Sequence, residues 1–176
     1  DETRVFRFDA EDALEELDSF QHFELSQPTL LATNLPDDKV VQVYETGLIV
    51  SQLQSGMSIF GWRPPGGAKV TAAAANSVHL LIVEGGHTLH VCHPSNEKEE
   101  PTAAKHLEAD QKISSVTLPE TQSNVCIVSF WQTAAVAILD LHTLDVIHTQ
   151  NLGTPGIAIP RSVLVANVLP DALPTL

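Results

Sequence analysis

One pattern recurs three times along the chain and constrains its fold more than any other feature. An apolar run, a short break and a second apolar run follow one another, and the breaks begin at Glu45, Glu84 and Trp131. These positions are 39 and 47 residues apart. The apolar residues in the runs are continuous or alternate with polar ones, which indicates β-strands and not helices. We therefore predict three β-hairpins that share one layout.

Each hairpin is also flanked by further candidate strands. Apolar stretches precede the hairpins at 29–35, 70–75 and 113–118, and more polar stretches follow two of them at 103–109 and 144–150. The repeating unit is thus four strands in about 40–45 residues, which is the period of a β-propeller blade. The sequence contains no Trp-Asp pair, so it is not an ordinary member of the propeller repeat class that carries this signature.

Two alternatives compete with this interpretation. An immunoglobulin-like sandwich needs about seven strands in ~100 residues with a Cys-Trp-Cys arrangement, whereas the pattern here suggests roughly twice as many strands and lacks that arrangement. The segment 9–20 also has helical features, because Leu14 and Leu17 stand at helical spacing behind acidic residues. In a blade, the second half of this segment would be the exposed outer strand, and we favour the strand.

Composition limits the classes of partner. The chain has 176 residues, 43% of them hydrophobic and 18% charged, as expected of one globular domain, and its net charge is −13. Nucleic-acid affinity comes mainly from Lys and Arg that neutralise phosphates, so we expect no direct nucleic-acid contact from this chain. We also expect no membrane span and no signal peptide, because no apolar run is long enough and the N-terminus lacks an apolar core.

The thiols and imidazoles offer little chemistry. Cys92 and Cys126 lie in apolar runs, so we predict buried, reduced thiols and a nuclear or cytosolic protein. The stretch HTLHVCH at 87–93 contains ligand types that zinc accepts. On a strand, however, only His90 and Cys92 would be adjacent on one face, so we expect no metal site. Neither a Gly-x-Ser-x-Gly elbow nor a phosphate-binding loop is present, and we predict no enzyme activity and no cofactor.

The two tryptophans are the candidates for an interaction surface. Aromatic side chains are the residues most often found as interface anchors. Trp62 precedes a Pro-Pro turn and could equally pack a loop onto a blade edge. Trp131 stands in a hairpin break, where exposure is common, so either a structural role or a contact with a partner remains open for it.

Several stretches resemble the DNA damage-binding protein 1 family. They are ETRVFRF at 2–8, GWRPP at 61–65, SFWQT at 129–133 and, above all, GIAIPRSVL at 156–164. The similarity runs over essentially the whole chain in one register. The stretch at 28–47 is also similar to the related splicing-factor 3b propeller subunit and, more remotely, to the large subunit of the cleavage and polyadenylation factor. The segments IPRS and LDLHTLDVIH favour the damage-binding branch.

The resemblance implies an all-β fold, namely part of a seven-bladed β-propeller. About three and a half to four blades of four-stranded antiparallel sheet would come from this chain, as the first half of the second of three propellers. It would belong to a longer polypeptide or associate through its open edges. The expected divisions are the last two strands of one blade at 1–20, three blades at 28–62, 69–109 and 112–150, and the start of the next blade at 161–176.

The resemblance also implies a function. Members of this family are adaptors of cullin-RING ubiquitin ligases, and their second propeller docks the cullin scaffold. We therefore expect a nuclear and also cytoplasmic, non-enzymatic scaffold in the DNA damage response or in chromatin regulation. Its partners would be a cullin and the remaining blades of its own polypeptide. An RNA-processing scaffold of the splicing or polyadenylation type is the main alternative, and a propeller enzyme or carbohydrate binder is a third.

The resemblance assigns the partner-binding residues. Trp131 matches the tryptophan that the family places at its cullin-facing surface, and Gln132 and Thr133 beside it would contact the partner at the rim. Lys112 departs from the family, in which we expect an acidic residue just before the strand at 113–118. The lysine would weaken a cullin contact or match a change in the partner.

Overall fold

The computed structural model describes residues 3–8, 13–17, 23–94, 100–120 and 124–153. These residues form β-strands, turns and loops. The described residues contain no helix that is long and apolar enough to cross a membrane. The prediction of an all-β chain is confirmed. The segment 161–176, which we expect to begin a further blade, lies outside the described residues.

Three four-stranded antiparallel sheets follow one another, each paired in chain order. The first sheet consists of β3 (Thr29–Leu35), β4 (Lys39–Tyr44), β5 (Gly47–Gln52) and β6 (Ser58–Trp62). The second consists of β7 (Val70–Ala75), β8 (Leu80–Glu84), β9 (Thr88–Cys92) and β10 (Ala103–His106). The third consists of β11 (Ile113–Thr117), β12 (Val125–Phe130), β13 (Ala135–Asp140) and β14 (Val146–Asn151).

A separate two-stranded sheet precedes them. It pairs β1 (Val5–Phe8) with β2 (Leu14–Leu17), so the acidic segment that also had helical features is a strand where it is described. A polar network joins this end of the chain to the first sheet. The Thr3 hydroxyl donates to the Gln27 carbonyl at 2.6 Å and lies 2.7 Å from the Thr29 hydroxyl. The fully buried Gln42 amide accepts the Glu24 N–H at 2.6 Å and donates to the Thr29 hydroxyl at 2.8 Å.

The sheets are arranged as the blades of a propeller. The first strands lie side by side, β3 against β7 and β7 against β11, while the fourth strand of each sheet lies at its outer edge. The middle blade is covered on both faces, so alternate side chains enter different cores. Leu80, Ile82 and Cys92 pack toward the first blade, and the residues that alternate with them pack toward the third: Leu81, Val83, Leu89 and Val91.

This double burial explains the continuous apolar runs in the sequence. All of β8 and all of β9 except its first residue are buried on both faces, so alternation of apolar and polar residues is not required. The two cysteines lie in different cores, Cys92 between the first and second blades and Cys126 between the second and third, and both are free thiols. Burial raises the pKa of each thiol to about 12. The prediction of buried thiols that form no disulfide is confirmed.

Several strand limits differ from those read from the sequence, and two of the differences lie in the second hairpin. The second hairpin begins at Leu80, whereas the apolar run in the sequence begins at Val78, because the Asn76 side chain accepts the N–H groups of Val78 and His79 at 2.9 and 2.7 Å and bends the chain there. Its break begins at Gly85 and not at Glu84, because Glu84 still pairs with Thr88 and is buried. The structural counterpart of Trp131 in the second blade is therefore Gly85.

Candidate protein-binding surface

The four residues assigned from the sequence lie at one end of the blades. This end, called the turn end below, carries the turns between second and third strands at 45–46, 85–87 and 131–134 and the links between blades at 63–69 and 107–112. Trp131, Gln132 and Thr133 form the third turn, and Lys112 ends the link before β11. The Trp131 N–H donates to the Lys112 carbonyl at 2.8 Å, so the structure brings these two residues together.

The turn that carries Trp131 is fixed at both ends. Lys112 holds its first residue, and the carbonyl of its last residue, Ala134, accepts the Leu152 N–H at 2.8 Å. Ala134 is buried and has a φ of 48°, a left-handed conformation that costs an alanine roughly 1 kcal/mol. A rigid turn of this kind presents its side chains without a large loss of conformational entropy when a partner binds.

The side chains of this turn differ in exposure. Trp131 and Thr133 are half-buried, whereas Gln132 and Lys112 are exposed. The Thr133 hydroxyl oxygen is itself buried and has no hydrogen-bond partner in the described part of the chain. A half-buried indole keeps one edge available for contact while the remainder of the ring fixes its orientation. The turn thus combines an aromatic side chain with exposed polar neighbours, as in the centre and rim of many protein interfaces.

Lys112 is positioned by the neighbouring blade. Its aliphatic stem covers Gly86, where an added β-carbon would lie 3.3 Å from Cε and 3.4 Å from Cγ. The Gly86 carbonyl accepts the N–H of Ile113 at 2.8 Å, which holds the link against the second turn. Within the described ranges, no carboxylate forms an ion pair with the Lys112 ammonium.

The two ends of the blades differ in charge. The cations Arg63, Lys69 and Lys112 lie at the turn end, together with the carboxylates of Glu45, Glu108 and Asp110. The opposite end carries more acidic residues, and these are Asp37, Asp38, Glu120, Asp140 and Asp145. Hydrogen bonds from the Thr143 and His142 N–H groups lower the pKa of Asp140, and the hydrogen bond from Lys105 lowers the pKa of Asp145. Both carboxylates are therefore ionised at neutral pH.

Comparison with known proteins identifies the fold family. The family model of the RSE1/DDB1/CPSF1 second beta-propeller matches residues 1–175. The chain belongs to this family. It is also 30% identical over 172 residues to DNA damage-binding protein 1 of Oryza sativa subsp. japonica, which covers 95% of the chain and 15% of the rice protein. The resemblance read from the sequence is thus confirmed, and the chain spans about 15% of the length of this relative.

In this second-propeller domain, the histidine-rich stretch at 87–93 is divided among several environments. His90 Nε2 lies 2.7 Å from a carboxylate oxygen of the buried Glu84, and its ring lies 4.8 Å from that of Trp62. The His87 ring faces that of His106 at 6.3 Å, and the ring of His93 contacts that of His79 at 5.7 Å. Among the described residues, no three His, Cys, Asp or Glu side chains are grouped as metal ligands.

Trp62 has a structural role. It is 6% exposed and packs in the core between the first and second blades. The Glu84–His90 pair beside it was missed by the sequence reading, which placed Glu84 in a solvent-facing break. The signal was present, because a three-residue turn between β8 and β9 places Glu84 and His90 on one face of the hairpin.

A small polar cleft lies where the inner strands of the propeller domain end, opposite the turn end. It has a volume of about 110 Å³ and is lined in part by Asn34, Asn76 and Glu120. The Asn76 amide donates to the Pro119 carbonyl at 3.2 Å, and the Ser77 N–H donates to Glu120 at 3.3 Å. Small-molecule sites usually occupy about 300–1,000 Å³. This cleft is smaller than that range, and its polar groups already bond one another.

Proposed function

We propose that this chain is part of the cullin-docking propeller of a ubiquitin ligase adaptor, and that it acts as a non-enzymatic scaffold in the DNA damage response or in chromatin regulation. The observation that carries the proposal is the Trp131 turn. It presents a half-buried indole on a backbone fixed by Lys112 and Leu152. Similarity to DNA damage-binding protein 1 supports a role in the DNA damage response or in chromatin regulation.

In this proposal the mechanism is geometric. Trp131 is the aromatic anchor for the N-terminal region of a cullin, and Gln132 and Thr133 contact it at the rim. Stacked blades resist deformation because each apolar face is buried against its neighbour. The propeller therefore holds the cullin, and with it the ubiquitin-transfer machinery, at a fixed position relative to substrate.

The proposal extends to the surroundings of the chain. The remaining blades of a seven-bladed propeller would come from the same polypeptide, with blades at 28–62, 69–109 and 112–150 supplied here. The net charge of −13 supports a segment that contacts protein and not nucleic acid. Similarity to a DNA damage-binding protein supports a nuclear location, and a cytoplasmic pool remains a prediction.

Affinity capture with the complete protein from nuclear extract tests this function. We expect a cullin among the captured proteins, with recovery reduced by Trp131→Ala and unchanged by Met57→Ala, an exposed apolar residue at the opposite end of the blades. Capture without a cullin would overturn the proposal.

The second candidate is a scaffold for splicing or polyadenylation. It is favoured by one observation, namely that the matching family model covers RSE1 and CPSF1 second propellers together with those of DDB1. Recovery of splicing or polyadenylation proteins in place of a cullin, in the same capture experiment, would select this function.

A further inference from the structure

Two lysines occupy the same structural place in successive blades. Lys69 directly precedes β7 and Lys112 directly precedes β11. The carbonyl of each accepts an N–H from the first residue of the turn in its own blade, Gly85 for Lys69 and Trp131 for Lys112, at 2.8 Å in both cases. Differences between the two ammonium groups therefore reflect their surroundings and not their backbone positions.

Those surroundings differ in one respect. The Lys69 ammonium forms an ion pair with Glu45 in the turn of the preceding blade at 2.5 Å. In the corresponding turn of the next blade, the residue below Lys112 is Gly86, which has no side chain. The glycine supports the aliphatic stem of Lys112 but offers no carboxylate, so the ammonium has no ion-pair partner in the described part of the chain.

The placement of this cation suits recognition of a carboxylate. Its stem is restricted by Gly86 and its backbone is bonded to Trp131, so less side-chain entropy is lost when it forms a contact. The carboxylates nearest to it in the chain, Glu108 and Asp110 in the same link, form no ion pair with its ammonium in the described part of the chain. A cation without an ion-pair partner beside an aromatic side chain can fix the register of a partner that presents a carboxylate.

We propose that the Lys112 ammonium donates to an Asp or Glu carboxylate of the protein that docks on Trp131, so that the partner presents an acidic residue beside the apolar group that covers the indole. This inference rests on the proposed function, since it describes the same surface. It adds the chemistry of the partner: the docking segment is acidic, and Lys112 selects it.

Titration of the complete protein with a recombinant cullin N-terminal region tests the contact. We expect Lys112→Met to weaken binding roughly 10-fold and Lys112→Glu still further, since a like charge would face the carboxylate. Lys112→Arg should retain most of the affinity. The matched control is Lys69→Met, which removes a cation from the same structural place one blade away and should change affinity less than roughly 2-fold, because Lys69 already has its own partner.

Each outcome bears on one of the two proposals. If the wild-type protein does not bind the cullin region, the proposed function fails. If wild type binds but Lys112→Glu binds equally well, or if Lys69→Met and Lys112→Met lose the same amount, the carboxylate contact is wrong while the function stands. A loss confined to the Lys112 variants, and diminished at high ionic strength, supports the contact. Lys112 is exposed, so unfolding curves should coincide for all variants.

Discussion

The first and third turns at the turn end have the same place in their blades but use their side chains differently. In the first turn, Glu45 pairs with Lys69, and the Thr46 hydroxyl donates to the Gln27 side chain at 2.9 Å. In the third turn, the Gln132 side chain and the Lys112 ammonium make no such contact within the described ranges, and Trp131 remains half-buried. The same scaffold thus closes one turn onto the molecule and leaves another available for a partner.

The backbone of each turn holds the blade together, whereas the side chains of the turn decide what the surface can bind. In the second and third blades, the turn backbone is fixed in the same way, by a hydrogen bond to the residue that precedes the inner strand of the same blade. Side chains then vary with little effect on the fold. Substitutions in the closed turns should therefore affect stability, whereas substitutions in the open turn should affect association.

The largest effect on stability is expected at the first turn. A β-carbon on Gly47 would collide with the backbone carbonyl of Trp62 in the neighbouring strand, which cannot move without breaking the pairing of β5 and β6. We expect Gly47→Ala to lower the free energy of unfolding by about 3 kcal/mol, measured by urea denaturation. Gly61→Ala on the adjacent strand is the matched control, because its new methyl group would meet only the Leu48 carbonyl at an ordinary 3.9 Å. Equal losses in the two variants would refute the close approach.

A smaller effect is expected beside the second turn. Removing the Glu84 carboxylate leaves His90 without its hydrogen-bond partner in the core that contains Trp62, and we expect Glu84→Ala to cost about 2 kcal/mol of unfolding free energy. Glu84→Gln should cost less, because the amide can still bond the imidazole.

A double substitution sharpens this prediction. Replacing both partners, with Glu84→Leu and His90→Phe, should cost less than Glu84→Ala alone, because no buried polar group is left unpaired. If the double variant loses as much unfolding free energy as the two single variants together, the interaction between Glu84 and His90 contributes little to stability.

The sequence predicted the positions of the strands better than the contacts of the residues in and beside the turns. Strand positions followed from apolar runs, because the middle blade buries both faces and its runs are unbroken from Leu80 to Val83. The same signal misplaced the second break at Glu84, since a polar residue that ends a buried strand looks like the start of a turn. Only the pairing of Glu84 with Thr88, and the burial of its side chain against His90, reveals the difference.

The candidate surface was predictable in part. The resemblance assigned both Trp131 and Lys112, which are 19 residues apart in the chain. Their backbone bond depends on how the link before β11 runs alongside the turn between β12 and β13, which no local pattern contains. The difference between Lys69 and Lys112 depends on whether the preceding blade supplies Glu45 or Gly86 beneath the lysine, and that required the packing of neighbouring blades.

The most direct test of the account measures the affinity of the complete protein for a cullin N-terminal region, with and without the Trp131 side chain. We expect Trp131→Ala to weaken binding by about 2 kcal/mol, or roughly 30-fold, as the loss of an aromatic anchor does. Met57→Ala, at the opposite end of the blades, should leave the affinity unchanged. Equal affinity of the Trp131→Ala variant and the wild-type protein would contradict the account.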